Sequence, residues 1–169
     1  MNTELLVQAR EMLENLTPLK TNCGLLCGGA CCDPDEDGQG GVLLFPGEAE
    51  ILKNESWMEI LPSPMPVDGK DYGMMVCKGT CERKMRPLGC RIFPLTPVKT
   101  KVGTWKVRTD RRAWAMCPLM SSGIRGLDPE FVETVRSVFN LLAADEENRR
   151  FLEEWQDLEQ SYADSPFLL

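Results

Sequence analysis

Apolar residues recur at helical spacing near both ends of the chain, while the middle is broken into short runs. Leu5, Ala9, Met12, Leu13 and Leu16 share one face of a helix predicted from about Thr3 to Leu16, with Pro18 beyond its end. Asp128 and Pro129 read as an N-cap and a first helical residue. Behind them Phe131, Val135, Val138, Phe139 and Leu142 form an apolar stripe. Asp145 is placed to cap a further helix bearing Phe151, Leu152, Trp155 and Leu158, so residues from about 128 to 163 predict a helical pair. Between the ends, Tyr72–Cys77 reads as a strand, and Thr96–Lys101 and Thr104–Thr109 read as a hairpin turning near Gly103. A short helix is expected after Pro46, where Glu48 and Glu50 suit the positive N-terminal end and Ile51 and Leu52 face inward. The stretch from Leu61 to Pro66 is a proline-broken connector, and Cys23–Gly41 reads as a glycine-rich loop. The pattern predicts an α+β fold in one domain over 1–169, a small antiparallel sheet with flanking N- and C-terminal helices.

Composition supports a core, with 43% hydrophobic residues. The N-terminal stretch is amphipathic and carries acids, which fits neither a signal peptide nor a transit peptide. With no apolar run approaching the roughly 18–20 residues of a membrane span, the expectation is a cytoplasmic protein that does not engage a membrane. A net charge of −7 argues against nucleic acid as a partner. The charge is uneven, however: between Lys78 and Arg112 eleven Lys/Arg accompany only Glu82 and Asp110. The chain has no histidine, so Ser–His and Cys–His nucleophiles, HExxH metallohydrolases and Cys₂His₂ fingers are all excluded.

Any soft-metal site must therefore be built from cysteine. The eight cysteines fall into three groups: Cys23, Cys27, Cys31 and Cys32; then Cys77, Cys81 and Cys90; then Cys117. A disulfide framework needs an oxidising compartment, and the cysteine content lies well below the roughly 8–10% of such scaffolds. Isolated buried cysteines are common, but four within ten positions of a glycine-rich loop are not isolated. Metal ligation accounts for both the spacing and the intervening Gly24, Gly28 and Gly29, which let backbone wrap closely around an ion. Gly79 and Gly89 attend the second group in the same way. Adjacent Cys31 and Cys32 diverge in extended backbone, so either they feed two sites or one of them is not a ligand. Lys78, Arg83, Lys84, Arg86 and Arg91 lie among the second group and favour thiolates. Their expected role is charge compensation or, with the bases from Lys99 to Arg112, binding of an anionic ligand or an acidic protein partner.

The cysteine series, together with Arg86-Pro87, Cys90-Arg91, Phe93-Pro94 and Cys117-Pro118, resembles the CxxCxxCC family of zinc- or iron-chelating domains. That family includes the flagellin lysine N-methylase, and the resemblance covers about residues 20–120. It implies metal chelation by cysteine-rich loops stapled by zinc or iron, the latter including a 4Fe–4S cluster. Methyl transfer to protein lysine would further imply S-adenosylmethionine, for which the sequence carries no motif of its own. The opening spacing here, x₃ and x₃, is wider than the family's. A structural zinc would instead imply a protein-interaction module, because an ion held by four thiolates has no open position for water. Whether the chain is an enzyme is left open by the sequence.

Other motifs weaken on inspection. Asp33, Asp35, Asp37 and Gly38 match the opening of a calcium-binding loop, but its twelfth position, where a bidentate Glu belongs, is Leu44. Gly38, Gly40 and Gly41 belong to no strand–helix unit that could cradle phosphate. Trp57, Trp105, Trp114 and Trp155 are expected in core or edge packing.

Overall fold

The apolar stripes at the two ends of the chain bury against each other and against the central hairpin, and this makes the larger core. The computed structural model describes residues 3–32, 41–52, 55–78 and 81–164. Its helices and strands, in chain order, are α1 (Thr3–Met12), α2 (Gly24–Cys27), β1 (Val42–Leu43), α3 (Glu48–Leu52), β2 (Met58–Leu61), β3 (Met74–Cys77), α4 (Leu88–Ile92), β4 (Leu95–Lys99), β5 (Trp105–Thr109), α5 (Ala113–Met116), α6 (Pro129–Leu142) and α7 (Glu146–Asp164). Short 3₁₀ turns lie at Ala30–Cys32 and Arg83–Met85, and a kinked 3₁₀ segment at Pro118–Gly126. β1, β3 and β2 form an antiparallel sheet in that order, while β4 and β5 make a separate hairpin. The fold is α+β, as the pattern of elements predicts.

α1 packs on α6, α6 on the β4–β5 hairpin, and α7 on β4. The larger core takes Leu6, Ala9 and Leu13 from the N-terminal side and the whole α6 stripe from the other. Trp155 sits among aromatic rings, with Phe45 at 5.7 Å, Phe151 at 6.1 Å and Phe139 at 6.5 Å between centroids. Each such side chain contributes roughly 1.5–3 kcal/mol by leaving water. Both expected caps form: Asp128 accepts from the Glu130 amide at 3.0 Å and Asp145 from the Asn148 amide at 3.1 Å. A second, smaller core of Leu44, Leu52, Met58 and Met75 lies under the three-stranded sheet, and Cys77, Met85 and Cys90 pack against it.

Several expectations are revised. α1 ends at Met12, although single turns carry on to Leu16, and Leu6 is buried where Leu5 is only partly so. The cysteine loop contains α2 and a 3₁₀ turn, pieces too short to leave a periodic trace. β1 and β2 went unpredicted for the same reason: two and four residues carry little alternation. Trp105 and Trp155 are core residues, but Trp114 is 60% exposed. The calcium-like turn Asp33–Gly38 lies outside the described residues. No helix among the described residues is long and apolar enough to cross a membrane.

Glu48 stands in the first turn of α3, as expected, but it is fully buried there. Its Oε1 accepts from Arg10 Nη1 and from the Leu88 amide, both at 2.6 Å, and its Oε2 from the Phe45 amide at 3.2 Å. Burial pushes this carboxyl up from the ordinary range, while Arg10 and the two amides act to keep it charged. The Leu88 amide is one of the donors left over at the start of α4, so Glu48 joins α1, α3 and α4 at one point. Gly89 then allows α4 to press on β1; a Cβ there would stand 2.2 Å from Val42 Cγ2 and 3.2 Å from the Leu43 carbonyl.

Replacing Glu48 by Ala leaves Arg10 buried without its counter-charge, and urea unfolding should show a loss of about 3–5 kcal/mol. Gly89→Ala should cost about 1–3 kcal/mol in the same measurement, because the added methyl must displace Val42.

Candidate metal centre

Four separate stretches of chain carry the cysteines, and the fold turns them toward one region. Cys23 takes the N-cap position of α2 and Cys27 ends that helix, one turn later. Gly28 and Gly29, at φ 63° and 80°, reverse the chain immediately afterwards, a left-handed course that a side chain would strain. Cys31 and Cys32 follow in the 3₁₀ turn, against which α5 packs. Cys77 ends β3, opposite Met58. Cys90 lies inside α4, and Cys117 joins α5 to the kinked 3₁₀ segment. All eight are free thiols; Cys31 and Cys32 are exposed and the other six are half-buried.

The thiols act on one another electrically. Burial raises Cys23, and the charges of Cys117 and Cys27 raise it further. Burial likewise raises Cys77, with Cys81 and Cys32 adding to the effect. Cys90 is pushed up strongly by burial, then by Cys77, Cys32 and Cys81. Cys31 is raised by its hydrogen bond to Cys32, by burial, and by the charges of Cys32, Cys90 and Cys27. A set of thiols that raise one another has been gathered closely enough to repel once ionised.

The bases expected beside them divide sharply. Burial opposes the charge of Arg86, but its interactions with Cys81, Cys32 and Cys90 more than offset that and raise it. The same guanidinium lowers Cys23, Cys77 and Cys90. Arg83 and Arg91 direct their donors onto main chain, although Arg83 also feels the Cys23 charge. Arg83 donates to the carbonyls of Leu13, Glu14 and Leu16, just past the end of α1. Arg91 donates to Arg10 and Arg86 carbonyls at 2.9 Å, Arg83 at 3.0 Å and Lys84 at 2.7 Å. Burial and the neighbouring Arg10 and Arg83 charges lower it to about 10, so it stays charged at neutral pH. Lys78 pairs with Glu59 at 2.6 Å and Lys84 with Glu82 at 3.0 Å, both on the surface. Gly89 serves helix packing, and Gly79 lies outside the described residues.

By chemistry these donors suit a soft ion. By position they converge without closing: among the described residues, no group of three or more Cys, Asp or Glu side chains is arranged to hold a metal ion. The raised thiols keep their protons at neutral pH, and only the thiolate is a ligand. Elsewhere, a cavity of about 400 Å³ lined by Lys70, Tyr72, Glu147 and Arg150 escaped the sequence reading. Its charges are largely paired internally, with Lys70 and Tyr72 on Glu147 at 2.9 and 2.7 Å and Arg150 on Asp68 at 3.3 Å.

Arg86→Leu should remove the charge that lowers Cys77 and Cys90. Their alkylation, followed by peptide mass spectrometry across a pH series, should then shift to higher pH and slow at neutral pH. Alkylation of Cys117 serves as the internal control. Compared with family models, curated proteins and solved structures, the chain matches none.

Proposed function

We propose that this protein binds zinc or iron through cysteine thiolates. The observation that supports the reading is that Cys23, Cys31, Cys77 and Cys90, on three stretches of chain, are each raised by other cysteines, with the Arg86 guanidinium acting on Cys23, Cys77 and Cys90. Metal chelation is also what the resemblance to the CxxCxxCC family implies. Zinc, when bound by four thiolates, supplies structure rather than a reactive water, and makes the protein an interaction module. This chain's own contribution is to supply the sulfurs, to offset part of their charge with Arg86, and to seat several of them on packed apolar side chains. Iron with labile sulfide would instead favour the reading related to the flagellin methylase.

Two measurements separate these outcomes. Protein purified anaerobically without added metal should carry zinc or iron on elemental analysis. A colourless zinc protein excludes the methylase reading, brown colour with labile sulfide excludes structural zinc, and a metal-free, well-folded protein that takes up neither ion excludes the proposal. Because the raised thiols hold their protons near neutrality, zinc uptake should release protons measurably in weak buffer, and affinity should fall as the pH is lowered. Chelator should unfold the cysteine-bearing segments, seen as lost protection from hydrogen exchange, before it affects α6 and α7.

A further inference from the structure

We propose that α2 and α5 together present a docking surface for an acidic amphipathic helix of a partner protein, one with apolar side chains along one side and carboxylates beside them. The proposal gives the interaction-module reading above a surface and a class of partner. It is read by peptide binding and not by metal content, so either proposal can fail without the other.

Two stretches of chain build this surface. α5 packs on the Ala30–Cys32 turn that closely follows α2. The Asp128 amide, just past the second stretch, donates to the Pro18 carbonyl, just before the first, at 2.8 Å. Residues 19–32 and 111–127 therefore adjoin at two points. Eight large apolar side chains are exposed among the described residues, and four of them stand on these two stretches. Leu25 and Leu26 of α2 are 81% and 61% exposed, and Trp114 and Met116 of α5 are 60% and 41% exposed. The other four are scattered singly over α1, β2, the hairpin tip and α7, as is ordinary for a folded chain. Trp114 is held at one edge, where its indole Nε1 donates to Thr109 Oγ1 at 3.4 Å, and most of the ring is left open to a partner.

Charge decides which partner fits. In a chain of net charge −7, the two stretches contain Lys20, Arg111, Arg112 and Arg125 and no Asp or Glu. Arg112 is paired with Asp110, but exposed Lys20, Arg111 and Arg125 have no acidic partner among the described residues. By contrast, Lys70, Lys78, Lys84, Lys99, Arg136 and Arg150 each hold a carboxylate. Lys20 and Arg125 flank the Pro18–Asp128 bond, and Arg111 closely precedes α5, so unpaired cations border the apolar residues in both stretches. Apolar anchors with charge at the rim make a protein interface, where Trp, Met and Arg are enriched. An acidic amphipathic helix supplies both counterparts in one element. An anionic membrane supplies them too, but it sets a whole plane of negative charge against the net −7 of the molecule. A helix meets only the charges within about 8–10 Å of where it lies.

The test uses the whole chain, reduced and as purified, with a fluorescent helical peptide bearing leucines on one face and glutamates beside them. Anisotropy should report binding that weakens with added salt, and amide shifts in the isotopically labelled chain should centre on residues 20–28 and 111–125. Trp114→Ala should weaken binding about tenfold or more. The paired reversals Lys20→Glu and Arg125→Glu should weaken it and remove most of its salt dependence. All three side chains are exposed, so urea unfolding of these variants should match the parent chain. A peptide with lysines in place of the glutamates should not bind. Asp33, Asp35, Glu36 and Asp37 follow Cys32 in sequence and lie outside the described residues, so a chain with all four neutralised is tested alongside. Binding by that chain alone overturns the proposal, because the chain then occupies its own surface. Equal binding of both peptides, shifts centred elsewhere, or no binding also overturns it. So does attachment to phosphatidylserine vesicles in place of the peptide, or self-association that Leu26→Ser abolishes. A chain that binds the peptide but takes up neither zinc nor iron overturns only the metal reading.

Discussion

The contact between Glu48 and Arg10 is the hinge on which the cysteine region hangs. A buried charge pair is tolerable only when its remaining hydrogen-bond capacity is filled, and here it is filled by main chain. Glu48 takes the Leu88 and Phe45 amides, and Arg10 reaches the Lys84 carbonyl at 3.1 Å. Arg91 then returns from α4 to the Arg10 carbonyl. The result is a closed circuit through α1, α3, the 82–91 segment and α4. It sets where α4 starts, and hence where Cys90 lies, and it holds the stretch that presents Arg86. A buried salt bridge adds little net stability over an apolar replacement, but this one fixes relative positions that apolar contacts would leave free to slide.

The concentration of positive charge in the middle of the chain acquires two distinct meanings. Arg83 and Arg91 act as five-donor forks that gather carbonyls at the ends of the short helices and turns. Arg86, lying between them in sequence, interacts instead with Cys81, Cys32 and Cys90. Short elements expose many backbone groups for each one they satisfy internally, and guanidinium groups are the economical way to satisfy several at once. Lys78 and Lys84 take neither role and remain in surface pairs.

What could be read from the sequence was whatever repeats locally. α6 and α7 declare themselves by stripes and by Asp128 and Asp145, and the β4–β5 hairpin by alternation around Gly103. The cysteines were legible as a set because residue type and spacing suffice for that. What escaped depends on partners remote in sequence. Glu48 looks like an ordinary first-turn acid until Arg10, 38 residues away, is folded against it. Arg83 gives no sign in the sequence of its bonds to the chain just past α1, nearly 70 residues earlier. β1 and β2 are too short to carry a period.

The exposure of Trp114 gives the protein an optical handle on its own cysteine region. Trp105 and Trp155 are shut in the larger core, at 2% and 3% exposure, whereas Trp114 stands open three residues before Cys117. A water-soluble quencher therefore reaches Trp114 far more readily than the core indoles. The quenchable part of the emission is weighted toward Trp114 in the cysteine region, with a smaller share from half-buried Trp57, while the protected part reports the larger core. One spectrum can thus follow two regions of the same molecule separately.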